Sequence, residues 1–114
     1  TNESARVYSR LEESKQVAYY NINADNSSRI AKIAKELYSK RINVTENYDA
    51  WFVIGRVLAH ELGESGRSFF HALSSLSTKY NRSECDKKFD KFKRTHTSPI
   101  GTFFMIAKEN NILY

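Results

Sequence analysis

The chain has 114 residues and a mass of 13.2 kDa, enough for one hydrophobic core and too little for two independent ones. Four glycines, one proline and a mean hydropathy of −0.61 exclude collagenous, linker-like and turn-dense all-β chains, and no apolar run approaches the ~20 residues of a membrane span. The net charge of +5 and a pI near 9.4 are compatible with a polyanionic partner, while the single cysteine, Cys85, excludes an intramolecular disulfide and fits a reducing, cytoplasmic setting.

Residues 1–26 carry no clear period. Tyr8 and Leu11 are spaced for a short helix, whereas Val17 to Ile22 read equally as a strand, a turn or an extended linker. No signal-peptide pattern is present. A chain opening on Thr1 reads as a piece of a larger protein, with 1–26 a connector or an extra helix from a preceding domain and 27–114 the helical domain.

From there the pattern predicts an all-α bundle of about five short helices with almost no alternating strand signal. Ile30, Ile33, Ala34, Leu37 and Tyr38 form the apolar stripe of a first helix, capped within Asp25 to Ser28 and ending near Ile42 and Asn43. Its outer face holds Lys32, Lys35 and Ser39, and Glu36 precedes Lys40 by four residues, the favourable order for a helical ion pair.

A second helix is predicted after Asn47 or Asp49. Trp51, Ile54, Gly55, Leu58, Ala59 and Leu62 make one stripe, and Phe52, Val53 and Val57 widen it, so this helix is expected to be central. Gly55 in its interior points to a close backbone crossing, and Gly63 is a suitable residue just past its end. A third helix, opened by Ser65 and Gly66, is expected to bury Phe69, Ala72, Leu73 and Leu76 with Phe70 alongside.

Asn81, followed three residues later by Glu84, is a variant capping box that starts a fourth helix. Cys85, Phe89 and Phe92 face the core, and Lys87, Lys91 and Arg94 repeat that spacing about 200° around the helix, with Lys88 at the edge of their stripe. Thr97-Ser98-Pro99 reads as a cap with proline at the first position of a last helix, whose stripe is Ile100, Phe103, Phe104 and Ala107.

No phosphate loop, nucleophile elbow, paired-histidine zinc motif or D-x-D metal motif is present, and no cofactor is expected. His60 and Glu61 are adjacent and about 100° apart on a helix, a poor geometry for shared ligation, and His60, His71 and His96 lie on separate elements. They read as ordinary surface or half-buried histidines, and Cys85 as a small core residue.

Charge is concentrated. Residues 27–45 and 79–95 carry +4 each, so the remainder sums to −3. Lysines along a helix are most often a solvated face, but Lys79-Tyr80-Asn81-Arg82 sets an aromatic between bases beside the stripe of the fourth helix. Single-stranded nucleic acid is held by this combination, stacking on the aromatic while cations neutralise phosphates. Candidate contacts are therefore Lys79, Tyr80, Arg82, Lys87, Lys88, Lys91 and Arg94, with Lys32 and Lys35 on the first helix. Tyr80 reads equally as a core residue, and Trp51 as core.

The order of Asn47-Tyr-Asp-Ala-Trp51, Ile54-Gly55, Gly63, Gly66, Lys79-Tyr80-Asn81, Cys85, Phe89-Asp-Lys-Phe92, Ile100-Gly101-Thr102-Phe103-Phe104 and Ala107-Lys108 resembles the second primase C-terminal helical domain family over about residues 47–110. Phe89 departs from the tryptophan common in that pattern, which keeps packing but loses an indole donor. The resemblance implies an accessory, non-catalytic helical module of a plasmid, phage or mobile-element replication primase. Its implied partners are single-stranded template DNA, the initiating nucleoside triphosphate, and the primase-polymerase and helicase domains of a parent protein, with no membrane. A second reading is a protein–protein docking module joining a primase to a helicase or another replication partner.

Overall fold

The computed structural model describes residues 26–95 and 98–114. The expectations placed on 1–25, and on His96 and Thr97, lie outside the described residues. Within them the chain is helical from 26 to 39 (α1), then at Tyr48–Leu62 (α2), Gly66–Ser74 (α3), Arg82–Phe92 (α4) and Ile100–Glu109 (α5). A single 3₁₀ turn, Gly63–Ser65, joins α2 to α3. The all-α class is as the pattern predicts.

α2 packs against α3, α4 and α5 and is the axis of the bundle. Asn47 caps it, its side chain accepting from the Ala50 N–H at 3.1 Å, and Gly63 ends it at φ +61°. Ile30, Ile33, Ala34 and Leu37 of α1 meet Ile54, Val57 and Leu58 of α2, Phe70 and Leu73 of α3, Cys85 and Phe89 of α4 and Phe103 and Ala107 of α5 in one buried cluster. Gly55 lets rings close over the α2 backbone: a Cβ there would lie 2.5 Å from Phe92 Cε2 and 2.7 Å from Phe70 Cζ. The Glu36–Lys40 pair forms, at 3.3 Å on an exposed surface.

Three local expectations change. Tyr38 is 38% exposed rather than buried, because it sits about 80° round α1 from Ile30, and its ring lies against the Arg41 guanidinium instead. α3 buries Gly66, Phe70, Leu73 and Ser74, while Phe69, Ala72 and Leu76 are half-buried. The rotation follows from Gly66, whose α-carbon is seated on α2 so closely that a Cβ would meet Leu58 O at 2.4 Å. Pro99 is the N-cap of α5 rather than its first helical residue, with ψ 58° outside the helical range, and the Ser98 hydroxyl makes no hydrogen bond among the described residues.

Two helices end alike. Arg41 and Asn111 take positive φ, and Ile42 and Ile112 then return N–H groups to Leu37 O and Ala107 O, each at 2.9 Å. This is the Schellman turn, and it folds Ile112 into the core.

Candidate nucleic-acid interface

α4 begins as the sequence predicts, with the Asn81 side chain accepting from the Glu84 N–H at 2.8 Å. Burial of Cys85, Phe89 and Phe92 fixes the rotation of the helix. Lys87 and Lys91 are therefore exposed; Arg94, expected on the same helical stripe, instead lies in the turn past the Lys93 C-cap, where it is exposed too, and none of the three has a side-chain partner among the described residues. Lys88 is half-buried at the edge of the stripe, its ammonium 5.9 Å from the Phe52 ring centre.

Asp86 and Asp90 of α4 turn the other way. Arg67 of α3 reaches across to Asp86 at 3.1 Å and to Asp90, and holds Glu64 at 2.6 Å; Lys93 closes on the other Glu64 oxygen at 2.7 Å. Hydrogen bonds from Arg67 and Lys93 hold the Glu64 carboxyl down at about 2. The second oxygen-bonded partner of Asp86 is His71, whose Nε2 lies 2.7 Å from the same Oδ1 that Arg67 contacts, and this bond, with that of Arg67, lowers the Asp86 carboxyl. Because an ionised carboxylate only accepts, Nε2 carries a proton; in the neutral ring Nδ1 then accepts from the Tyr80 hydroxyl at 2.7 Å. Asp86 and Asp90 are thus held on the α3 flank, while Glu84 stays exposed on the other side of the helix, and no carboxylate among the described residues is bound to Lys87, Lys91 or Arg94.

On the opposite flank of α4, a cleft of about 160 Å³ opens between the starts of α2 and α4, with Tyr48, Trp51 and Tyr80 as aromatic walls. Trp51 is half-buried, stacked on Phe70 at 5.3 Å between ring centres, and donates from Nε1 to Ser74 Oγ at 2.8 Å. Tyr48 is 55% exposed and leans on Trp51 and Phe52 with ring centres 5.7 and 6.0 Å away. Glu46 is ordered at the rim by the Thr78 hydroxyl and N–H and the Asn43 amide, which keep its carboxyl at about 2. Burial pushes the Cys85 thiol at the floor upward, and Cys85 contributes apolar surface rather than a nucleophile.

Lys79 and Tyr80 both line this cleft. Lys79 donates to Glu46 O at 3.0 Å, and the half-buried Tyr80 ring stands edge-on to His71, so Tyr80 is a wall rather than a free stacking platform. Arg82 is exposed beside the His71–Asp86 pair. Lys32 and Lys35 are exposed on α1, and no hydrogen bond, ion pair or ring contact among the described residues joins them to the α4 cations. Sequence reasoning missed Tyr48 and Arg67. The three- and four-residue spacing of Tyr48 to Trp51 and Phe52 was a signal for the first; for the second, Glu64 three residues earlier marks one ion pair, but nothing local marks the reach to Asp86 and Asp90, which lie 19 and 23 residues away.

The family model described as Primase C terminal 2 (PriCT-2) matches residues 35–107, well over half of the chain. The chain belongs to the Primase C terminal 2 family. It is therefore a primase C-terminal module, and α4, its cations and the cleft all fall inside the matched region. No curated protein and no solved structure matches the chain. Among the described residues, no helix of this PriCT-2 module is long and apolar enough to cross a membrane.

Proposed function

We propose that this PriCT-2 module binds single-stranded template DNA for a replication primase and carries no catalytic step itself. The observation that supports the reading is the set of exposed, unpaired cations Lys87, Lys91 and Arg94 along and just past α4, the helix whose first turn lines an aromatic cleft, while the neighbouring acids Asp86 and Asp90 are held by Arg67. Phosphates along a strand are neutralised by such cations, with release of counterions, and exposed rings such as Tyr48 hold bases by stacking. Priming chemistry is assigned to the polymerase domain of a parent protein. Binding of labelled single-stranded oligonucleotides over a salt series tests this function.

A second reading, docking to a helicase or another replication partner, draws on a different surface. Met105, Leu113 and Tyr114 at the α5 end are large apolar residues exposed at 53%, 83% and 44%. A docking module of that kind binds without salt-dependent affinity for DNA.

A further inference from the structure

We propose that the cleft between the starts of α2 and α4 captures one pyrimidine base from the bound strand, with cytosine favoured over thymine. The inference rests on the strand-binding reading above and names what the cleft takes. Size is the first argument. A cavity of about 150 Å³ holds one benzene ring, and the cleft, at about 160 Å³, matches a single six-membered ring rather than the fused pair of a purine. Its walls suit a flat π-system, with Trp51 fixed by Phe70 and Ser74 and Tyr48 exposed at the mouth.

The polar groups at the rim select among ligands. Glu46 is ionised and Glu84 is exposed with no side-chain partner among the described residues, so two carboxylates border the opening against one ammonium, that of Lys79, which is bonded to Glu46 O, and the rim repels a phosphate. A nucleotide therefore enters base first, leaving its phosphate to the cations outside. Asn81 uses its side-chain oxygen on the Glu84 N–H, which leaves the amide NH₂ to donate to a base carbonyl or ring nitrogen. The Glu84 carboxylate accepts from the cytosine N4 amino group, whereas thymine presents a carbonyl and a methyl there, and the carboxylate opposes that carbonyl.

Trp51 is the chain's one tryptophan, so its emission reports on the cleft wall. The probes are dC, dT and dA homopolymers of equal length, titrated at one salt concentration and then over a salt series. Bound dC is expected to quench Trp51 most, with affinity falling in the order dC, dT, dA. Tyr48→Ala should weaken dC binding by about 5- to 150-fold without altering the salt slope, because stacking releases no counterions. Glu84→Gln should erase the preference for dC over dT. Both residues are exposed, so both variants keep the fold, which a thermal melt checks. Salt-dependent binding with unchanged Trp51 emission, or full dC affinity in Tyr48→Ala, overturns the cleft assignment and leaves strand binding standing. Failure of every oligonucleotide to bind overturns both together.

Discussion

Arg67 of α3 and Asp86 of α4 meet at 3.1 Å across the helix interface, and this contact ties up a carboxylate of α4 on the flank facing α3. The same guanidinium bonds Glu64 and Asp90 and lies 4.9 Å from the Phe89 ring centre, so one side chain joins the 3₁₀ turn, α3 and α4.

That network makes stability depend on acid in a defined direction. The Glu64 carboxyl falls from an ordinary 4.5 to about 2 in the folded chain, and Asp86 is lowered as well. A depressed folded value stabilises above the unfolded value and is lost as pH falls through the folded one. Urea unfolding of the parent and of Arg67→Gln is therefore expected to show the parent more stable at pH 7. The gap should narrow between about pH 4.5 and pH 2. A gap independent of pH would place the contribution of Arg67 in packing on Phe89 alone.

Gly55→Ala tests the packing at the centre. Alanine gains about 0.5–1 kcal/mol of helix propensity over glycine. The added methyl, however, would stand 2.5 Å from Phe92 and 2.7 Å from Phe70, and overpacking of this kind costs about 1–3 kcal/mol or more. The expected result is a net loss of about 1–2 kcal/mol by urea denaturation, with the cationic face unchanged.

Arg41→Gly is expected to act oppositely. Arg41 holds φ at +56°, a conformation that costs a side-chain-bearing residue about 1–2 kcal/mol and glycine almost nothing. Arg41 recovers part of this through its bond to Tyr38 O at 2.6 Å and its place over the Tyr38 ring. A thermal melt should show Tm raised by about 2–4 °C.

The bundle was legible because its signals are periodic and local. The stripe from Ile30 to Leu37, the caps Asn47 and Asn81, the close crossing at Gly55 and the terminator Gly63 each act within a few residues, where helical geometry is fixed. The rotation of α3 was not legible, since Gly66 against Leu58 is a contact between two helices that no period records. Helical spacing places Lys87 and Lys91 on an outward face and Asp86 and Asp90 on a different flank, whereas the Arg67 guanidinium that holds those two acids is again a contact between two helices that no period records. Tyr80 was undecided between core and surface, and its tie to His71 explains why: the ring is half-buried and its hydroxyl is bonded.

The measurement that bears most directly on strand binding compares the parent with a variant carrying Lys87→Gln, Lys91→Gln and Arg94→Gln together. All three side chains are exposed, Lys87 and Lys91 on the α4 face opposite Cys85, Phe89 and Phe92 and Arg94 in the turn that follows, so the melt should be unchanged. Affinity for single-stranded DNA should fall, and the slope of log K against log salt should flatten by about 2, from roughly 0.7 for each phosphate contact removed. Equal affinity of parent and variant at every salt concentration would contradict the strand-binding reading and favour docking through the α5 end.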